Sequence, residues 1–359
     1  MPSLTFDVAA PVTHTMGLSL RAYIAQHIHS DLQNQTIARI VVTGSSQRYT
    51  QFGNAAIDSL RPTVSWTDPA TIRLTCLPSR NLMRHYAGIV ATYLRLCGRD
   101  PGIVHLSLPD PDETGRLIRE SNLRAIGHVD LAIIGSVNNL TGLAGLTDDW
   151  QGADGSEDSM FRWQTMVSSR GQTAALIGCL EQLWGETGEH LLRALFTYLN
   201  VKCVIYTAKC GSVSKEYTAN EWIATGSQAI LEGEVIQWPN PLDGVLDVSR
   251  RVARGSIVTV PTPLCETQEW LSEWSPKVSW VDCEVGFMAK AAVDLGVEFG
   301  YLHVVSDNLC QNAGDNLSNE DSDVVSGKRK VLYDEICKIL DALLFSKEMR
   351  GREANLLEI

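Results

Sequence analysis

The sequence predicts an α/β protein with a mixed central sheet flanked by helices. Runs of β-branched and aromatic residues alternate with runs whose apolar residues recur every three or four positions, the alternation that stacks helices on the faces of a sheet. At 359 residues and 44% hydrophobic content the chain can bury a large core, as one big domain or two ordinary ones. The stretch 280–308 combines a helix, a glycine stop and a buried strand, and the chain is read outward from it.

In chain order, the spacing predicts a helix over 18–32, strands over 38–43 and 72–76, a helix over 81–96, a strand over 102–106, a helix over 112–121 and a strand over 129–134. Thr43-Gly44-Ser45-Ser46 follows a strand, but without G-x-G-x-x-G or a G-K-[ST] ending it reads as a strand-to-helix turn. His27 and His29 are two apart and share no helix face, so they read as a solvated helix end. Residues 148–158 are polar and acidic, a surface loop. A strand over 174–178 precedes a helix over 188–199, with Leu191, Leu192, Leu195 and Leu199 on one face and Asn200 as its stop. A buried strand over 202–207 then runs into a small-residue turn, 208–213, containing Lys209, Gly211 and Ser212. Residues 238–241 form a turn-rich insertion, and 256–261 is another strand. Trp270, Trp274 and Trp280 surround a short helix. Val285, Met288, Ala289, Ala292 and Leu295 mark a helix stopped by Gly296, and 299–305 is a buried strand ending in Ser306-Asp307-Asn308. A polar run over 312–326 and an amphipathic helix over 328–344 close the chain.

Charge narrows the partners. The net charge is −12 and the pI about 5.1, and no Lys/Arg run stands out, which argues against nucleic acid as a partner. Residues 1–12 lack the positive region and apolar core of a signal peptide, and no apolar run approaches the ~20 residues that span a bilayer, so a cytoplasmic protein without a membrane partner is expected. Nine cysteines without a C-x-x-C pair read as reduced thiols, with no metal site.

Two acids stand in special places. Glu284 opens a helix, and Asp307 sits just past a buried strand, where open α/β sheets collect ligands. Cleaving a ribosyl C–N bond builds positive charge on the sugar and negative charge on the leaving base. A carboxylate can accept from both hydroxyls of a cis-diol, and a desolvated Asp can protonate the leaving nitrogen.

The acid before an Ala-rich helix, followed by S-D-N after the next strand, resembles the nucleoside phosphorylase and nucleosidase superfamily. The resemblance covers the chain from about His128 and divides it into residues 128–359, a nucleoside phosphorylase-like domain, and residues 1–127, an α/β region of open role. It implies that Glu284 holds the ribose hydroxyls and that Asp307 is catalytic at a purine; Asn308, the next residue, is read as orienting Asp307. Cys283 stands where the family has Met. Gly135-Ser136 resembles the family's first glycine turn, with Val137-Asn138 in place of its second glycine. Gly211 and Ser212 match the turn lining the nucleoside pocket, and Thr262 lies near the base contacts. Hexameric phosphorylases hold phosphate with an Arg and a Ser where this chain has Tyr206 and Lys209. Loss of the Arg argues against an ordinary phosphate site, and Lys209 stays open as an anion contact or a surface lysine.

The expectation is therefore cleavage of the N-glycosidic bond of a purine nucleoside or nucleotide, by hydrolysis ahead of phosphorolysis. A family member recruited to another small molecule and a non-catalytic nucleoside-binding module are the alternatives. No cofactor is expected, inorganic phosphate remains open as co-substrate, and the resemblance implies a homo-oligomer.

Overall fold

A computed structural model describes residues 6–45, 62–153, 159–180, 182–311, 315–320 and 322–345. Ser46 of the glycine turn, residues 154–158 of the acidic loop, and 312–314 and 321 of the polar run lie outside that description.

Strands β1 (Arg39–Gly44), β2 (Thr63–Asp68), β3 (Thr71–Cys76) and β4 (Val104–Ser107) form a sheet in the order β2-β3-β1-β4. β1 runs parallel to β3 and β4, while β2 is antiparallel to β3. Ile40 and Val42 of β1 and Ile72 and Leu74 of β3 alternate inward and are fully buried, the period-2 signature of a covered sheet face. The first helix, α1 (Ser19–Gln26), is shorter than its predicted 18–32. The chain leaves it at His27, and the His29 ring accepts from the Asp31 backbone N–H to start a separate 3-10 turn, Ser30–Gln33. This local side-chain bond competes with continued α-helix. Helix α2 (Arg80–Leu96) packs on β1 and β4, with Leu82, Met83, Tyr86, Ile89 and Val90 buried. It is followed by α3 (Glu113–Glu120).

The larger sheet holds β5 (Leu131–Gly135), β6 (Phe161–Val167), β7 (Thr173–Cys179), β8 (Cys203–Ser212), β9 (Ile223–Thr225), β10 (Gln228–Leu231), β11 (Glu234–Gln237), β12 (Val252–Arg254), β13 (Ile257–Thr259), β14 (Trp280–Asp282) and β15 (Glu298–Asn308). Its path is β11-β10-β13-β14-β8-β15-β9-β12, and β5 branches from β8 to reach β7 and β6. β8 is the trunk of this sheet. Its first half pairs with β5, its last two residues pair with β14, and its whole length runs parallel to β15. Parallel and antiparallel pairs are both present, so the expected mixed sheet is what forms.

Helices α4 (Glu186–Leu199), α5 (Gln268–Trp274), α6 (Val285–Leu295) and α7 (Asp323–Phe345) complete the molecule, with α4 packed against α6. Asn200 and Gly296 end α4 and α6 in the left-handed conformation, at φ 57° and 67°, the usual helix stop. The apolar cluster that includes Ile40, Ile72 and Leu82 continues through Val204, Trp280 and Phe299, so both sheets share one core.

Two further boundaries differ from the sequence reading in ways that matter for the site. Residues 208–212 continue β8 instead of forming a turn, and Asp307 and Asn308 lie inside β15 instead of past its end. The pairing explains it. Val305 faces Cys210, Asp307 faces Gly211 and Asn308 faces Ser212, with Ser306 bulged out between them. Each strand thus satisfies the other's backbone groups to the last residue, and the bulge re-aims the side chains around it.

At the β5–β8 contact, Gly135 adopts φ 96°, and a Cβ there would stand 2.1 Å from the Thr207 carbonyl oxygen. Gly171 has φ 75° but nothing within 4 Å. Gly135→Ala is expected to cost more than ~2 kcal/mol in urea unfolding, and Gly171→Ala only the backbone term of about 1–2 kcal/mol. Equal losses would contradict this account of the β5–β8 junction.

Candidate functional site

The site is assembled where β8, β14 and β15 end together. Asp282 closes β14 and caps α6. Its carboxylate accepts from the Thr259 hydroxyl at 2.7 Å and from the Glu284 and Val285 backbone N–H groups at 3.1 and 2.6 Å. The Thr259 hydroxyl also accepts from the Gly286 N–H at 2.7 Å. With the first-turn amides taken by these two residues, the Glu284 side chain makes no cap bond and is left for another use. The backbone N–H groups of Cys283 and Gly185 act on its carboxyl, which lines a cavity.

Asp307 lines the same cavity from β15. The Ser306 hydroxyl donates to its Oδ1 at 2.7 Å, which leaves Oδ2 on the side of Gly211. A Cβ on residue 211 would stand 3.3 Å from that Oδ2 and 2.8 Å from Leu309 Cδ1, so glycine is what lets β8 pass so near the acid. The cavity measures about 460 Å³, within the ~300–1,000 Å³ usual for small-molecule sites.

Carboxyls dominate its electrostatics. Glu266, Asp282, Glu284, Asp307 and Glu320 all line it, against a single lysine or arginine, Lys209, among the described lining residues. Burial pushes the Asp307 carboxyl up to about 6, opposed by the Ser306 bond, helped by Glu320 and reduced by Arg329 and Lys209. Burial raises Glu284 well above the carboxylate range, and the neighbouring Asp282 charge adds to it. Asp282 is itself raised by burial against the bonds from Thr259, Val285 and Glu284. Burial, then Asp307, raises Glu266. Glu320 is the exception. Burial pushes it up, but Lys209 at 2.6 Å and Arg329 at 2.9 Å hold it below the usual range, so it stays ionised.

Of the residues expected from sequence, Glu284, Asp307, Cys283, Gly211 and Lys209 meet at this cavity, together with Gly135, Ser136 and Tyr206. Burial keeps the Cys283 thiol protonated, with Glu284 and Asp282 reinforcing it. Three residues are placed otherwise. Asn308 does not orient Asp307: its amide donates to the Ser214 and Tyr217 carbonyls at 2.8 and 2.7 Å, and its oxygen accepts from the Cys310 N–H. The orienting group is Ser306. Ser212 turns its hydroxyl to the Ser214 backbone and does not line the cavity. Thr262 caps a 3-10 turn and bonds the His85 ring at 2.8 Å, behind the wall.

Sequence reasoning missed most of the far wall. Tyr23, Gln26 and His27 of the α1 region line the cavity, as do Trp184, Glu266 and Glu320. His27, expected at a solvated helix end, faces the site, and its Nδ1 lies 2.7 Å from the Tyr23 carbonyl. Trp184, not Trp270, Trp274 or Trp280, is the tryptophan at the cavity, stacked at 4.3 Å on His85 of α2. Residues 79–81 tie this wall down: Ser79 donates to Glu186 of α4 at 3.1 Å, and the Asn81 N–H reaches the same carboxylate. An aromatic just before a helix-opening Gly-Glu was the only local hint of Trp184. Contacts that cross 100 residues or more, such as Lys209–Glu320, leave no local signal.

Among the described residues no group of three or more His, Cys, Asp or Glu could hold a metal ion, and no helix is long and apolar enough to cross a membrane.

No protein-family model matches this chain, and no curated protein matches its sequence. Solved structures do resemble its fold. A futalosine hydrolase mutant from Helicobacter pylori strain 26695 aligns at 14% identity and TM-score 0.46 over 59% of this chain and 99% of its own. The 5′-methylthioadenosine/S-adenosyl homocysteine nucleosidase of Campylobacter jejuni aligns at 12% identity and TM-score 0.47, over 59% and 99%. A putative methylthioadenosine nucleosidase from Weissella paramesenteroides aligns at 13% identity and TM-score 0.45, over 60% and 97%.

The raised Asp307 carboxyl carries a stability consequence. The folded protein holds this proton more tightly than the unfolded chain, so the group's contribution is fully present below pH 3.8 and is lost as pH rises through about 6. Asp307→Asn escapes that loss. The variant is expected to gain on the order of 1–3 kcal/mol over the parent at about pH 8 and roughly half as much at about pH 5. Thermal melts of both proteins at the two pH values check this, and a gain independent of pH would contradict it.

Proposed function

We propose that this chain hydrolyses the N-glycosidic bond of a purine nucleoside, and one observation carries the reading: Glu284 and Asp307, from a helix start and a strand end, line a single cavity of about 460 Å³. The chemistry assigns them opposite ends of the substrate. Glu284, freed from capping by Asp282, takes the ribose hydroxyls. Asp307, held at Oδ1 by Ser306, presents Oδ2 and donates its proton to the departing base nitrogen as the C1′–N bond breaks. The electron pair of that bond leaves with the base, a water oxygen closes on C1′, and the proton it loses passes to solvent, from which the Asp307 carboxyl is restored. The purine comes from the sequence resemblance, in which an acid at the Asp307 position serves that base.

The charge of the wall favours water over phosphate as nucleophile. An anion entering would meet the ionised Glu320 carboxylate, and the one lysine among the described lining residues is already paired with it. The same argument favours a nucleoside over a nucleotide. Residues 1–127 supply Tyr23, Gln26 and His27 to the wall, and we assign this region the role of roofing the cavity and excluding bulk water, which strengthens the electrostatic contacts inside.

Free base is expected from a purine nucleoside panel at a rate that added inorganic phosphate does not raise, with ribose and no ribose 1-phosphate as the other product. Asp307→Asn should lower turnover by ~10²–10⁴, the range for one general acid. No base release from any purine nucleoside would overturn the reading. The acid must carry its proton to act, so kcat/KM is expected to fall as pH rises through about 6. A pH profile that rises through that range would remove Asp307 from the proton-donor role.

A further inference from the structure

Lys209 and Arg329 converge on one group, the Glu320 carboxylate. Lys209 Nζ lies 2.6 Å from Oε2 and Arg329 Nη2 lies 2.9 Å from Oε1. Both Lys209 and Glu320 line the cavity. Arg329 is fixed from behind, its Nε donating to Asn220 Oδ1 at 2.7 Å, and the Asn220 amide in turn donates to Asp315 at 3.1 Å. Gln26 of α1 donates to the Ser318 carbonyl at 2.7 Å, which holds the segment carrying Glu320 against the wall. Two cations, a planar arginine fork among them, are what a protein uses to bind an oxyanion. Here the oxyanion is part of the chain.

The position of this pair relative to the two substrate acids gives it meaning. Lys209 acts electrostatically on both Glu284 and Asp307. An anion held at Lys209 in place of Glu320 therefore stands in the wall of the same cavity that Glu284 and Asp307 line.

We propose that Glu320 is a built-in anion that fills a two-cation site and thereby excludes inorganic phosphate, making it the residue that sets the choice of nucleophile. This inference rests on the hydrolase reading for its catalytic meaning, but its binding claim stands alone. With the carboxylate gone, Lys209 and Arg329 face an open position in a cavity wall, and inorganic phosphate can take it. In the presence of nucleoside, a phosphate oxygen then forms the bond to C1′ while the C1′–N bond breaks. Its electron pair goes to the base, which takes the Asp307 proton, and the products are ribose 1-phosphate and free purine.

The test is calorimetric titration of the full chain with inorganic phosphate, which reads binding without turnover. Glu320→Ala is expected to bind phosphate saturably and at least tenfold more tightly than the parent. Adding Lys209→Ala should abolish the gain, which separates a cation site from loosened packing. Should Glu320→Ala fail to fold by circular dichroism, Glu320→Gln keeps the shape, removes the charge, and should gain in the same direction. A folded variant that binds phosphate no better than the parent overturns the proposal, as does a parent that already binds phosphate as tightly. The two readings fail separately. Phosphate binding gained without base release from either protein removes the nucleoside reading and keeps this one. Phosphate-independent base release by the parent, with no gain in the variant, does the reverse.

Discussion

The full-length pairing of β8 with β15 is the constraint on which the rest depends. Two parallel strands run side by side to their last residues, and the Ser306 bulge resets their register just before they end. Without the bulge, a strand with strict alternation would place Asp307 on the other face. With it, Asp307 faces Gly211 across the ladder, where a Cβ would crowd the Leu309 and Val281 side chains and the acid itself. Strand β14 joins β8 at the same end through Gly211 and Ser212, and so brings Asp282 and the start of α6 to the same place. One backbone arrangement thus sets the positions of both Glu284 and Asp307.

The site is costly to hold. Four carboxyls, Glu266, Asp282, Glu284 and Asp307, are raised by burial, and the fold retains them although each would be better solvated outside. Their costs are offset locally and unequally. Asp282 is compensated by capping a helix, Asp307 by one serine hydroxyl, Glu284 by two backbone N–H groups. Buried acids with few partners are the ones whose protonation sits in a useful range. Glu320 shows the opposite solution, a half-buried acid kept charged by two cations. The cavity therefore holds protonated and ionised carboxyls together, the division of labour that bond cleavage with a proton donor requires.

Much of this was legible in local sequence. The α6 spacing with its Gly296 stop and the Asn200 stop of α4 were read correctly because helix periodicity and left-handed ends are local properties. Glu284 and Asp307 were picked out for the same reason, since each is defined by the element it ends or begins. What escaped was set by pairing and by contacts distant in the chain. Strands β2 and β6 are antiparallel edge partners whose own residues alternate weakly in burial, and neither was foreseen. Asn308 looked like the natural partner of Asp307, but one residue farther along the strand its amide serves the turn at 214–217, and the bulge hands the orienting role to Ser306. The contribution of α1 to the wall could not be read from its own sequence, because nothing in Tyr23-x-x-Gln26-His27 announces what it will face.

The central claim is that Glu284 and Asp307 grip one nucleoside. It is tested most directly by the affinity of a purine C-nucleoside, whose carbon link to the sugar cannot be hydrolysed, for the parent, Glu284→Ala and Asp307→Ala. The account predicts saturable binding at one site per chain, weakened at least tenfold by either substitution. An affinity that both variants leave unchanged would contradict it.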